Sequence, residues 1–143
     1  MNNADLQEAW AIVPAGGSGT RFSQTENKLL ATLGGVPILV RTIEALGNAS
    51  QLDGILIAAH PDLVMLYSDV IEANCLTKKP ILWVKGGKTR RESVFNGLRG
   101  LPLCASIVAV HDAARPLVDP GLIDQGITLV RMAMTRTQKL GVV

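Results

Sequence analysis

Residues 14–21, PAGGSGTR, directly follow the apolar run Trp10–Val13 near the start of the chain. The segment has three glycines within four residues: Gly16, Gly17 and Gly19. Because glycine adopts positive φ and has no Cβ, the backbone can turn its N–H groups into one concavity that a phosphate chain approaches closely. Arg21 adds a permanent positive charge. We interpret the segment as a phosphate cradle after a first strand; a glycine-rich turn without a ligand is the alternative.

Two common glycine-rich loops do not fit this sequence. The dinucleotide fingerprint requires a small residue where Phe22 stands, and an acid at the end of the second strand, where Ala59 and His60 stand. A Walker loop would combine glycine, lysine and hydroxyl as residues 87–89 do, but its upstream glycine is replaced by Leu82. The sequence therefore argues against NAD as the ligand and against a Walker-type loop at residues 87–89.

The composition indicates one compact domain. The chain has 143 residues, 48% of them hydrophobic, which suffices for one core and leaves little room for a second. We expect residues 1–9 to form a loose leader and residues 10–143 to form the domain. The net charge is only +2, and the fourteen basic residues are spread along the chain. A nucleic-acid partner is therefore not expected.

The cysteines and the apolar runs indicate the compartment. Cys75 and Cys104 have no CxxC partner, and the N-terminus lacks the basic-then-apolar layout of a signal peptide. No apolar run approaches the roughly 20 residues that cross a bilayer. We expect a cytoplasmic protein with reduced thiols and no membrane partner.

Apolar runs and helical patterns alternate along the chain. The predicted strands are Trp10–Val13, Ile55–Ala59, Ile81–Val84 and Ile107–Val110. The predicted helices are Pro37–Leu46, Asp62–Asn74, Arg90–Leu101 and Pro120–Met134, the third with Val94, Leu98 and Leu101 at helical spacing. Because the strand runs are continuous rather than alternating, we expect both faces of the strands to be covered. The fold class is therefore α/β, a mostly parallel sheet with helices on both faces.

Polar segments follow three of the predicted strands. The first carries Arg21 and Lys28, the second is GGKTRRES at 86–93, and the third is HDAARP at 111–116. All three lie at the carboxyl edge of a parallel sheet, where ligands of open α/β folds bind. Their convergence predicts one site for an anionic ligand.

Each residue taken alone has a simpler explanation. Lys28 could be a surface lysine with a buried stem, and Ser93 could merely occupy the first turn of a helix. Asp112 could satisfy a turn, and His111 and Arg115 could bond to backbone carbonyls. The convergence of the three segments favours the functional interpretation.

The three motifs resemble one family in order and spacing. PAGGSGTRF at 14–22 with Lys28 seven positions after its arginine, GGKTRRESV at 86–94 and VAVHDAARP at 108–116 are similar to the 2-C-methyl-D-erythritol 4-phosphate cytidylyltransferases of non-mevalonate isoprenoid synthesis. The resemblance covers about residues 10–143. It implies a Rossmann-like nucleotidyltransferase fold, CTP and a sugar-alcohol phosphate as substrates, and Mg²⁺ as cofactor.

The resemblance also implies roles for single residues. Arg21 and Lys28 would stabilise the transition state, and Asp112 would contact the ribose and the metal. Ala15, Gly16, Gly87 and Ser93 would line the cytosine and ribose, and Gly17 and Gly19 belong to the same nucleotide-binding loop. A ribitol 5-phosphate or other sugar nucleotidyltransferase and a non-catalytic nucleotide-binding fragment are the alternatives.

The sequence departs from the family in three respects. Asn27 stands where the family usually has proline, and Lys88 stands at an often acidic position. Residues 140–143, LGVV, resemble the opening of the family's fifth strand. The resemblance then implies a fold truncated after the fourth strand, without the later part that dimerises and positions the second substrate. We expect the 143-residue chain to bind nucleotide without transferring it, and a full-length form to be a homodimer.

Overall fold

The structure is a computed structural model that describes residues 7–16 and 27–139. These residues form an α/β fold. The strands are β1 (Glu8–Pro14), β2 (Thr32–Leu33), β3 (Val36–Pro37), β4 (Gly54–Ala59), β5 (Ile81–Lys85) and β6 (Ala105–Val110). The helices are α1 (Ile38–Gly47), α2 (Pro61–Asn74), α3 (Arg90–Gly100) and α4 (Pro120–Lys139), and a 3-10 turn spans Lys28–Leu30. All four predicted strands and all four predicted helices are confirmed.

The main sheet is parallel, and its strand order is β5-β4-β1-β6. The chain moves outward from β1 through β4 to β5 and then returns to the other side of β1. The order therefore reverses between β1 and β6, and the carboxyl ends at such a reversal form a crevice where ligands bind. The predicted α/β class with a parallel sheet is confirmed.

The central strands are buried on both faces, and the edge strands are not. Every residue of β4 is buried, as are the inner five residues of β1. Leu82 on β5 and Val108 and Val110 on β6 are exposed. The expectation that all four strands are covered on both faces is therefore wrong for β5 and β6, because each is an edge of the described sheet.

The larger core lies on the face covered by α1, α2 and α4. Its helix residues are Leu39, Ile43, Leu46, Tyr67, Ile71 and Ile127. They pack on alternate side chains of β1 and β4, since successive residues of a strand point to opposite faces.

The opposite face is covered by α3, which approaches the sheet through small residues. Ser93 and Gly97 are its buried residues, whereas Leu98 is 49% exposed. A Cβ on Gly97 would lie 2.7 Å from Cγ2 of Ile12, so only glycine allows this approach. The prediction that Leu98 belongs to an apolar face of α3 that packs on the sheet is therefore wrong. The helix contacts the sheet through small residues instead.

Two features differ from the sequence prediction near the N-terminus. Strand β1 begins at Glu8, because the N–H of Glu8 donates to the Cys104 carbonyl at 3.0 Å and Ala9 is paired with Ile107. Residues 8 and 9 therefore belong to the sheet and not to the leader. The antiparallel pair of β2 and β3 was not predicted; Gly34 and Gly35 form its turn with φ of 60° and 79°.

Within the described ranges, no helix combines the length and the apolar character needed to cross a membrane. The predicted opening of a fifth strand, at residues 140–143, lies outside the described residues.

Candidate active site

Backbone hydrogen bonds hold the segments after the strands together at the carboxyl edge. The N–H of Ala15 donates to the Ala58 carbonyl at 2.9 Å, and the N–H of Ala113 donates to the Pro14 carbonyl at 3.3 Å. The N–H of Gly86 donates to the Ala59 carbonyl at 2.8 Å. The segments after β1, β5 and β6 therefore begin at one edge with defined relative positions.

The 86–93 segment is fixed by the first turn of α3. Thr89 caps this helix, since its side chain accepts from the N–H of Glu92 at 3.1 Å. The buried Ser93 hydroxyl accepts from the N–H of Gly87 at 3.0 Å. A Cβ on Gly87 would lie 2.2 Å from the Cβ of Glu92, so the loop requires glycine here. Ser93 thus shapes the loop, and its contact with a nucleotide stays a prediction.

Asp112 is paired on both carboxylate oxygens. Arg90 Nε donates to Oδ1 at 2.8 Å, and Arg115 Nε lies 3.2 Å from Oδ2. The Arg90 hydrogen bond is the main cause that holds the pKa of Asp112 below its ordinary value, and desolvation opposes it. We call these three residues the Asp112 cluster. It presents two guanidinium groups around one ionised carboxylate.

An open cleft of about 660 Å³ lies at this cluster. It is lined by Arg90, Val110, His111, Asp112, Arg115, Pro116, Leu117 and Val118. The ring Nε2 of His111 lies 2.9 Å from the Arg115 carbonyl, which is the simpler explanation considered for His111. Arg115 instead pairs with Asp112, so its predicted carbonyl contact is not its described role.

Lys28 lies on a separate element. It opens the 3-10 turn that Asn27 caps, and its side chain is exposed, whereas Leu29 and Leu30 pack against the larger core. We call residues 27–31 the Lys28 turn. Within the described ranges, no hydrogen bond or ion pair joins Lys28 to Asp112 or Ser93. The backbone of the turn is held, and its cation is left exposed.

The predicted site residues divide into three groups. Ala15, Gly16, Gly87, Ser93 and Asp112 lie at the carboxyl edge as expected, although their contacts with a nucleotide remain predictions. Lys28 lies on the separate Lys28 turn. Gly17, Gly19 and Arg21 lie outside the described residues.

Sequence reasoning missed two contacts. Arg90 was placed in the 86–93 motif but not in the site. The usable signal was the expected convergence of that motif with HDAARP at one edge, which brings the Arg90 guanidinium to Asp112. The contact between Asn27 and Tyr67 was also missed, because the two residues are 40 positions apart and no local pattern links them.

The expected Mg²⁺ can be tested against the residues present. The described residues contain no group of three or more His, Cys, Asp or Glu side chains able to hold a metal ion. Mg²⁺, however, is commonly bound by one or two carboxylates together with substrate phosphates and water. Asp112 is ionised and about a third exposed. Its two arginines use one lone pair of each oxygen, and a carboxylate has about four such sites, so Asp112 fits that arrangement as a single carboxylate ligand.

Comparison with known proteins identifies the family. The sequence profile of the 2-C-methyl-D-erythritol 4-phosphate cytidylyltransferase family matches residues 9–141. The chain belongs to this family. The resemblance inferred from the three motifs is therefore confirmed, and the profile covers all of them.

Individual relatives agree with the profile. A 2-C-methyl-D-erythritol 4-phosphate cytidylyltransferase of Synechococcus elongatus is 43% identical over 115 residues, covering 80% of this chain and 49% of the relative. One from Streptomyces coelicolor is 38% identical over 122 residues, covering 85% of this chain and 45% of the relative. The chain thus spans about half the length of the relatives it matches.

The fold agrees as well. The crystal structure of 4-diphosphocytidyl-2C-methyl-D-erythritol synthase from Anaerococcus prevotii superimposes with a TM-score of 0.73 at 28% identity, covering 89% of this chain and 52% of that one. The nucleotidyltransferase fold expected from the motifs is therefore confirmed for the described residues.

Proposed function

We propose that the whole natural protein transfers the cytidylyl group of CTP to 2-C-methyl-D-erythritol 4-phosphate and releases pyrophosphate, a step of non-mevalonate isoprenoid synthesis. The observation that carries the proposal is the convergence of the segments after β1, β5 and β6 at one edge, in a chain of the cytidylyltransferase family. The relatives' names support this choice of substrate, and the arginines around the cleft at Asp112 support an anionic ligand.

Nucleotide binding is assigned to the described edge. The backbone at Ala15 and Gly16 and the loop at Gly87 would lie against the cytosine and ribose, while Gly17 and Gly19 continue the first segment. The Ser93 hydroxyl fixes the path of its loop by accepting a hydrogen bond from the N–H of Gly87. A loop held in shape before binding loses less conformational entropy when a nucleotide binds.

The chemistry requires positioning and neutralised charge. A phosphate oxygen of the acceptor attacks the α-phosphorus of CTP in line, the new P–O bond forms, and the bond between the α-phosphorus and the bridging oxygen breaks. The electron pair leaves with pyrophosphate. No covalent enzyme intermediate is required, so cations around the phosphates are the main catalytic means.

The cations would have different tasks. Arg21, as a guanidinium, can hold two phosphate oxygens at once, whereas Lys28 supplies a point charge that follows the developing charge. Asp112 would hold Mg²⁺, which when bound supplies positive charge to the triphosphate. Arg90 and Arg115 keep the Asp112 carboxylate ionised and oriented.

The proposal also covers the cellular compartment and the oligomeric state. We place it in the cytoplasm, since Cys75 and Cys104 are both free thiols, as is usual in a reducing compartment. The homodimer expected for a full-length form stays a prediction that rests on the family resemblance.

The test is pyrophosphate release by the whole natural protein, with CTP, Mg²⁺ and either 2-C-methyl-D-erythritol 4-phosphate or ribitol 5-phosphate. We expect release with the first acceptor and only background with the second or with none. Calorimetric titration should show that CTP with Mg²⁺ binds and that NAD does not.

Each other outcome replaces the proposal by a named rival. Release with ribitol 5-phosphate alone would make the protein a ribitol-phosphate nucleotidyltransferase. CTP binding without release to any acceptor would make it a nucleotide-binding protein. NAD binding without CTP binding would overturn the interpretation of residues 14–21.

A further inference from the structure

The side chain of Asn27 joins two parts of the chain that are far apart in sequence. Its Oδ1 accepts from the N–H of Leu29 at 3.2 Å, which caps the 3-10 turn. The same side chain is bonded to the Tyr67 hydroxyl, with Nδ2 at 2.9 Å and Oδ1 at 3.1 Å from that oxygen. One amide group therefore both starts the Lys28 turn and attaches it to α2.

Tyr67 is a fixed point for this contact. The residue is fully buried in the larger core, and its hydroxyl is its polar end. Burial raises the pKa of Tyr67, so the hydroxyl keeps its proton at neutral pH and remains able to donate. A hydrogen bond from such a group fixes Asn27 relative to the core and not merely to a neighbouring loop.

The turn is also held on its other side. Leu29 and Leu30 pack against the larger core, and the N–H of Ile38 donates to the Ala31 carbonyl at 2.9 Å. Lys28, between the Asn27 contact and the leucines, has an exposed side chain on a backbone fixed at both ends.

We propose that the Asn27–Tyr67 hydrogen bond positions Lys28 for the transferring phosphate by fixing the backbone from which its side chain extends. The inference rests on the proposed function, in which Lys28 acts on the transition state. Asn27 and Tyr67 are positioning residues and touch no substrate. Misplacing a reacting group by about 1 Å can cost on the order of a hundredfold in rate, so a loosened turn should lower turnover.

Two substitutions each remove the Asn27–Tyr67 hydrogen bond while keeping the packing of the ring or the cap of the turn. Tyr67→Phe removes one oxygen and leaves the ring in the core. Asn27→Ser keeps a good helix cap, but its hydroxyl is one bond shorter than the asparagine amide and does not reach Tyr67. Ser68→Ala is the matched control. It removes a hydroxyl at the next position of α2 whose one hydrogen bond to a described residue goes to Glu72, at 3.3 Å.

The first measurement is the rate of cleavage by trypsin, which does not depend on the protein's own enzymatic activity. Trypsin cleaves after lysine, and cleavage at the Lys28–Leu29 bond requires the turn to open. We expect both substitutions to speed this cleavage several-fold, measured by mass spectrometry, while Ser68→Ala leaves the rate unchanged. Unchanged cleavage in Tyr67→Phe would overturn the inference, whether or not the protein transfers cytidylyl groups.

The second readout separates positioning from simple structural support. In the whole natural protein, Tyr67→Phe and Asn27→Ser should each lower kcat on the order of tenfold with little change in KM for CTP. The double variant should be no worse than either single one, since both remove the same contact. Equal losses in Ser68→Ala, or a change in KM alone, would contradict the inference. Absence of turnover in the unmodified protein would instead count against the proposed function.

Discussion

The Asp112 cluster and the Lys28 turn hold their charged groups in opposite ways. In the Asp112 cluster both carboxylate oxygens are paired with arginines, and the segment is bonded to the end of β1. In the Lys28 turn the backbone is fixed, but the ammonium group is exposed and pairs with no described residue. A carboxylate held by two arginines has a fixed position and suits a ligand that is bound throughout the reaction. An exposed ammonium group is free to interact with negative charge that develops only in the transition state.

The largest effect should come from the Lys28 turn. Lys28→Ala should lower kcat on the order of a hundredfold or more while changing CTP affinity little, because its charge acts mainly in the transition state. Arg21→Ala should behave alike. Steady-state kinetics and calorimetry of the whole natural protein give the two quantities.

The control is Lys78→Ala, which removes an exposed lysine that precedes β5 and so lies at the amino edge. It should leave both quantities unchanged. If Lys28→Ala raised only KM, Lys28 would be a ground-state binder and the contrast between the two regions would be lost.

The next effect concerns the packing that places Ser93. Gly97→Ala puts a methyl group against the stiff, buried Ile12, while Gly126→Ala adds one on α4 with no atom within 4 Å. Both substitutions gain the same helix propensity, so the difference between the two variants in free energy of unfolding reports the packing of the added methyl group. We expect Gly97→Ala to be about 1–3 kcal/mol less stable than Gly126→Ala in urea unfolding. Equal stabilities would show that α3 is not held by close approach.

The sequence predicted some of these features and not others. The strands, the helices and the edge that carries the motifs followed from apolar runs and from the rule that parallel strands end together. The contact face of α3 did not follow, because Ser93 and Gly97 carry no apolar signal. The Asn27–Tyr67 contact did not follow either, since it exists only once α2 has folded beside the turn.

A smaller effect should come from Asp112→Asn. The fold should persist, because the side chain lies at a strand end and is about a third exposed. The Mg²⁺ concentration for half-maximal CTP binding should rise roughly tenfold, since a neutral amide is a weaker ligand than a carboxylate for this cation. Calorimetry across Mg²⁺ concentrations measures it. A variant unfolded by circular dichroism would favour a purely structural role for Asp112.

The smallest effect is the pH dependence of the same carboxylate. Its pKa is lowered in the folded protein, chiefly by Arg90, so its stabilising contribution is present above the unfolded pKa of about 3.9 and is lost as pH falls through the folded value. The stability difference between the parent and Asp112→Asn should therefore shrink below about pH 4. A difference that stays constant from pH 6 to pH 3 would show that the ion pairs contribute nothing.

The most direct test of a single CTP site at the carboxyl edge is hydrogen exchange by mass spectrometry, with and without CTP and Mg²⁺. We predict slower exchange in all three segments, residues 15–16, 86–93 and 111–115. The turn at residues 49–53 on the opposite edge should exchange as before, and NAD should change none of them. Protection confined to one segment, or appearing at the opposite edge, would contradict the account.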